Sequence, residues 1–176
     1  MRSQRVLGSI GCCLVVFLCL AGCEATKSAS GSGVSDLYYH RIRDWQKRID
    51  REGWTVGRVN EVLGETLTFV TYRMEIDDHW DTPREFILRG FQGDCEDIAV
   101  FMMGTLKYLG YPHKVRVLAV RGTFSGHALL KVEMPDGQWG IYETTPHTLR
   151  RVNPARLHPL VEFDEKEIIH LSRQGS

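Results

Sequence analysis

What is missing narrows this sequence first. It has no excess of either charge: Lys and Arg number 22, Asp and Glu number 22, and the formal net charge is zero. That excludes the basic footprint of a nucleic-acid-binding domain. It has no even set of cysteines. Five of them cannot all pair within one chain, so a complete disulfide framework is excluded. It has no internal repeat, no low-complexity block and no break that would mark a second domain. It also has no apolar run of the ~20 residues that span a membrane comfortably. What is there is a chain of 176 residues, 43% hydrophobic and 25% charged. That is the composition of one globular domain, not of a disordered or multi-spanning protein.

The cysteines are unevenly placed. Cys12, Cys13, Cys19 and Cys23 crowd the N-terminus, and only Cys95 lies beyond. Arg2 and Arg5 form a positive n-region, and residues 6–20 are an uncharged apolar stretch of signal-peptide length. The stretch ends in Leu20-Ala21-Gly22-Cys23, which resembles the bacterial lipobox, whose cysteine sulfur takes the lipid. An ordinary secretory signal or a membrane anchor that ends in Cys is the alternative. On the lipobox reading, residues 1–22 are a signal peptide, and residues 23–34 are the lipidated Cys23 and a flexible tether. Its ten residues 24–33 would span about 17 Å r.m.s. as a flexible coil. By resemblance to bacterial sorting rules, Glu24 after the lipidated cysteine implies the outer membrane, facing the periplasm, in a two-membrane cell. Loss of Arg2 and Arg5 reduces the 22 basic side chains to 20, against 22 acidic, so the mature chain is slightly acidic. Cys95 becomes the only free thiol, in a compartment where thiols tend to be oxidised. Such a thiol is either buried and inert or kept for its reactivity.

Residues 35–176 read as a single domain. Tyr38, Ile42, Trp45 and Ile49 recur at spacings of four, three and four, which predicts an amphipathic helix over residues 35–50. Residues 58–74 are mostly helical in period, though the β-branched content of residues 66–72 would also suit a strand. Residues 75–83 read as a polar loop. Asp94 is the expected N-cap of a helix with Cys95 in its first turn. The stripe Ile98, Ala99, Met102, Leu106 and Leu109 continues that helix, and Gly110 and Pro112 end it. Residues 114–120, 126–134 and 138–144 read as strands, with Pro135-Asp136-Gly137 as a turn. Residues 149–153 predict a short fourth strand, and residues 162–171 a charged helix. Helices followed by strands imply an α+β fold: a Cys-bearing helix packed on a mainly antiparallel sheet, with additional N-terminal helices.

Three residues could form a reactive unit. Nucleophilic catalysis by cysteine needs a thiolate, a base to take and return its proton, and a group to orient that base. Cys95 at a helix N-terminus meets a partial positive charge, and thiol values at such sites fall to roughly 3.5–7.5. His127 opens one predicted strand and Glu143 lies near the end of the next. A three-residue loop at 135–137 would pair Met134 with Gln138 and set His127 opposite Thr145. Glu143 would then be the diagonal neighbour of His127 on the same face, about 7–8 Å away, able to accept the Nδ1 proton. A two-residue loop would flip that parity and put Thr144 there instead. Taken singly, each residue has a plainer role: a core cysteine, a satisfied histidine, a solvated carboxylate.

The segment Asp78-His79-Trp80-Asp81-Thr82-Pro83-Arg84-Glu85-Phe86, then Gly90 and Gly93-Asp94-Cys95-Glu96-Asp97, resembles the bacterial transglutaminase-like cysteine proteinases. Leu109 to Pro112, the predicted strand after it and Gly126-His127-Ala128 continue the resemblance, which covers about half of the mature chain. It implies a papain-like or transglutaminase-like fold, Cys95 as nucleophile and His127 as general base. Glu143 stands where the family usually has Asp. The nearest branch, the LapG-type periplasmic proteases, is calcium-dependent through acidic residues beside the cysteine, and Asp94 and Glu96 match those positions. The carboxylates of Asp94, Glu96 and Asp97 oppose a thiolate at Cys95, and calcium, which prefers oxygen ligands, would offset them. The plainer reading is that these acids cap the helix and favour its dipole.

The resulting expectation is a lipid-anchored cysteine peptidase or amidohydrolase acting on a protein or peptide in the cell envelope through Cys95, His127 and Glu143. It binds no nucleic acid, meets the membrane through Cys23, and has calcium as its one candidate cofactor. Acyl transfer to an amine would use the same residues. A non-catalytic binding lipoprotein of the same fold is the other rival. Zinc held by Cys95 and His127 lacks a close second cysteine or histidine. The Cys95 N–H is the natural first oxyanion donor, with Gln92 and Trp80 open as the second.

Overall fold

The four apolar positions of the first predicted helix, Tyr38, Ile42, Trp45 and Ile49, are all buried. They belong to α1 (Ser32–Glu52), the first element in a computed structural model that describes residues 32–74, 79–121 and 126–171. Gly53, at a φ of 71°, ends α1 by donating its N–H to the Ile49 carbonyl at 2.8 Å. The last residues of the expected tether, 32–34, are thus helical. The signal segment, Cys23 and the rest of the tether lie outside the described residues.

α2 (Val56–Leu67) starts at Thr55, whose hydroxyl accepts the Arg58 N–H, and buries Val59, Val62, Leu63 and Leu67. Both readings of residues 58–74 hold in part, because β1 (Thr71–Tyr72) follows the helix. Of the expected 75–83 loop, residues 75–78 lie outside the described residues, and its end gives way to α3 (Pro83–Leu88). Thr82 and Glu85 form a capping box there, with Pro83 in the first turn. β2 (Gln92–Gly93) pairs in parallel with β1. It leads into α4 (Cys95–Tyr108), capped by Asp94 as expected and buried along most of its length. A Cβ on Gly104 would come within 2.5 Å of Pro83 Cγ, so α3 packs directly on α4.

The rest of the chain builds an antiparallel sheet, in order β5-β4-β3-β6-β7. Its strands are β3 (Val115–Arg121), β4 (Gly126–Glu133), β5 (Trp139–Tyr142), β6 (Pro159–Phe163) and β7 (Ile168–His170). The face carrying Val115, Val117, Ala128, Leu130 and Val132 joins the helices in the main core. Leu118, Val120, Leu129 and Ile141 form a smaller core on the other face, with Val152, Leu157 and Leu171 against it. The mixed α+β class with a mainly antiparallel sheet is as the sequence implied.

Two tail readings change. Residues 149–153 form no strand of their own. They make an antiparallel bridge, Tyr142 to Arg151, along the edge of β5. Residues 162–171 are not a helix but the end of β6, a turn and β7. The Asp164 carboxylate accepts the N–H groups of Lys166 and Glu167, and this turn overrides the weak helical pattern.

Candidate active site

Cys95 is held by a glycine and a buried acid. A Cβ on Gly93 would come within 2.4 Å of Asp97 Oδ2 and 2.9 Å of Phe86, so only glycine lets the helix start fold this closely. Asp97 is fully buried. Its carboxylate accepts the Asp81 N–H at 2.7 Å and the Asp94 N–H at 3.3 Å. Asp81, also buried, pairs with Arg89 at 2.7 Å and with His79 at 3.4 Å. The two segments singled out in the sequence are therefore one structure over their described residues, 79–86 and 93–97. Asp97 is its tie as well as a carboxylate at a helix start.

Cys95 is 8% exposed. Its S–H donates to Glu96 Oε2 at 3.0 Å and not to His127. The Ala128 N–H, in the peptide that follows His127, favours the thiolate. Burial, the bond to Glu96 and the charges of Glu96 and Asp94 push the thiol up to about 12, and only the Ala128 N–H opposes them. The lowering expected from the helix terminus is thus overridden, and the resting thiol is neutral. Asp94 is itself pushed up to about 7, by burial and then by the charges of Glu96 and Asp97. Asp94 Oδ1 is buried without a hydrogen-bond partner. The potential ligand atoms of Asp94, Cys95 and Glu96 all lie within 4.8 Å of one another. Tyr72 pairs with Gly93 at the entry to this helix, and burial, ahead of the nearby acidic groups, raises its hydroxyl.

The other two residues meet. Met134 pairs with Gln138 through a 2.7 Å bond from its N–H, and Leu130 faces Tyr142. The loop is therefore the three-residue one, and Glu143 falls on the His127 side. His127 Nε2 contacts Glu143 Oε1. The expected contact was through Nδ1; the ring presents its other nitrogen. Glu143 Oε2 accepts from Arg150 Nη2 at 2.6 Å. Burial alone would raise the Glu143 carboxyl, but the bonds from His127 and Arg150 hold it below the ordinary range. Of the two oxyanion candidates, Gln92 is exposed on β2, and the Trp80 ring rests on Phe163 with centroids 5.2 Å apart.

Sequence reasoning missed the tie at Asp97, the Ala128 N–H and Arg150. The first two leave no local trace. Arg150 would have emerged from aligning residues 149–153 against the third strand.

A cysteine at the start of a central helix, packed on an antiparallel sheet, is an α+β arrangement that recurs in solved structures. The solved structures that share it include LapG of Legionella pneumophila. That protein aligns with a TM-score of 0.57 at 22% identity, covering 82% of this chain and 90% of LapG. Its calcium-bound form gives 0.59 at 23% identity, over 84% and 91%. A candidate cysteine protease of Cytophaga hutchinsonii gives 0.53 at 16% identity, over 77% of this chain and 45% of that one. At these identities the likeness is one of fold. No family model matches the chain, and no curated protein matches it by sequence.

Proposed function

We propose that this protein is a lipid-anchored cysteine peptidase that hydrolyses an amide bond of a protein or peptide in the cell envelope. The observation that carries the reading is the contact of His127 with Glu143, on a strand whose Ala128 N–H favours the Cys95 thiolate. With Nε2 turned to Glu143, Nδ1 is left to accept the thiol proton. The sulfur then attacks the amide carbonyl carbon, and the oxyanion forms near the Cys95 N–H at the helix start. His127 returns the proton to the leaving amine as the C–N bond breaks. Water, activated by the same imidazole, hydrolyses the thioester and restores the thiol. The reaction must first free the thiol from Glu96.

Calcium fits the residues beside the cysteine. Asp94 has a buried, unpartnered oxygen, and Asp94 and Glu96 offer the oxygen ligands this ion prefers. LapG is known in calcium-bound and EGTA-treated forms. When bound, the ion would supply positive charge that competes with the thiol for Glu96 and favours the thiolate. The lipid anchor at Cys23 and the outer-membrane location rest on the lipobox resemblance. Among the described residues, no helix is long and apolar enough to cross a membrane.

The non-catalytic reading has one observation in its favour, the thiol pushed up by burial and by its bond to Glu96. An activity-based thiol probe on the detergent-extracted full chain separates the two. Cys95 labelling that rises with calcium and disappears in Cys95→Ala supports the peptidase. A folded Cys95 that stays unlabelled with and without calcium removes catalysis. Release of Cys23→Ser from the membrane fraction checks the anchor, and its retention there would refute it.

A further inference from the structure

The two oxygens of Glu143 are committed to different partners. Oε1 meets His127 and Oε2 meets Arg150. The backbone presents Arg150 directly opposite. The Glu143 N–H donates to the Arg150 carbonyl at 2.9 Å, and the Val152 N–H donates to the Ile141 carbonyl at 2.7 Å. These bonds flank the Tyr142 to Arg151 bridge and fix the register of an otherwise irregular segment. The Glu143 side chain is 12% exposed and that of Arg150 is 67% exposed, so the guanidinium lies on the solvent side of the carboxylate.

A glutamate has one more rotatable bond than an aspartate. Without a second partner it would visit rotamers in which neither oxygen reaches the ring. A carboxylate that comes and goes cannot fix the tautomer of an imidazole. We propose that Arg150 is a positioning residue that clamps Glu143, so that His127 keeps its proton on Nε2 and leaves Nδ1 free for the Cys95 thiol. This rests on the Cys–His–Glu reading above, and it explains how glutamate can serve where the extra methylene would otherwise loosen the site. Arg150 acts through Glu143.

The test is made on the full chain with ¹⁵N-labelled histidine, comparing wild type, Arg150→Ala and Arg150→Lys. The imidazole ¹⁵N shifts report the tautomer. The wild type should show His127 as the Nε2–H form, and Arg150→Ala should show a mixture. Arg150→Lys keeps the charge and should recover most of the single form. With fluorescein-labelled casein as the probe substrate, Arg150→Ala should lower kcat about 5–10-fold with KM unchanged. That is a fraction of the about 10²–10⁴-fold that general acid–base catalysis supplies. A single Nε2–H tautomer that persists in folded Arg150→Ala overturns the clamp. The tautomer reading decides the clamp whether or not casein is cut, whereas absence of cleavage by wild type with calcium counts against the peptidase reading alone.

Discussion

Glu96 and Cys95 are adjacent in sequence, and their contact sets the resting state of the site. The carboxylate holds the S–H at 3.0 Å and adds its charge to the burial that already disfavours the thiolate. Removing that charge without changing the shape should release part of the effect. An adjacent charge moves a titration by about 1–3 pH units. Glu96→Gln should therefore alkylate Cys95 with iodoacetamide about tenfold faster than wild type at pH 8 without calcium. An unchanged rate would mean that burial alone keeps the thiol neutral. At this scale the sequence was partly legible. Cys95, His127 and Glu143 stand out as candidates because each is a reactive residue type in a fitting order along helix and strands, and the structure brings His127 and Glu143 into contact. Asp97 reads in the sequence only as a charge beside Cys95 or a partner of the helix dipole, because a carboxylate in a first turn usually serves there. Its second partner, the Asp81 N–H, lies sixteen residues back, before α3 and β2. The nitrogen that His127 turns to Glu143 depends on the ring's rotamer, which no sequence spacing encodes.

The start of α4 works as an element because Gly93 leaves room for Asp97 to turn back. Gly93→Ala would put a methyl carbon 2.4 Å from Asp97 Oδ2 and 2.8 Å from its Cβ. Asp97 would have to move, leaving the Asp81 and Asp94 N–H groups without their acceptor. Overpacking costs about 1–3 kcal/mol, and each buried N–H left unpaired costs about 1–3 kcal/mol more. Urea denaturation should show Gly93→Ala less stable by at least the overpacking cost. Gly57→Ala is the control: its nearest neighbour is 3.8 Å away on an exposed turn of α2, so stability should hold or rise slightly. Equal effects at the two sites would defeat the argument. Element reading succeeded where a strong period fixed the answer, as in α1 and α4, while the turn between β4 and β5 left two loop lengths open and the register of the strands decides between them. It missed α3 although Thr82-Pro83-Arg84-Glu85 spells a capping box, because the helix is too short to show a period.

Over the whole molecule, balanced charge conceals a buried ionic cluster that fastens the C-terminal strands to the sheet. Glu162 on β6 is 4% exposed and joins Arg116 of β3 at 2.6 Å and Lys131 of β4 at 2.5 Å. Arg116 also pairs with Asp164 at 3.5 Å and contacts Glu167. Read along the sequence, Glu162, Asp164, Glu165, Lys166 and Glu167 resemble the solvated side of a helix. Their main partner lies more than forty residues earlier, and that separation is why the tail was misread. Burial alone would raise the Glu162 carboxyl, but the bonds from Lys131 and Arg116 outweigh it and hold it below the ordinary 4.5. Asp164 is likewise depressed: burial opposes ionisation, but the Lys166 and Glu167 N–H groups and Arg116 prevail. A carboxyl depressed by folding stabilises the fold above its unfolded value, and that stabilisation is lost as pH falls through the folded value. The wild-type Tm should therefore drop as pH is lowered from about 4.5, the onset for carboxylates of ordinary affinity. Glu162→Gln leaves Arg116 and Lys131 without their shared anion, and breaking a buried pair costs about 3–5 kcal/mol. Its Tm at pH 7 should be lower than that of wild type, and its further fall between pH 4.5 and 3 should be shallower. Parallel acid limbs in the two proteins would show that Glu162 titrates alike in the folded and unfolded chain, and the cluster would then not be what holds β6 to β3 and β4.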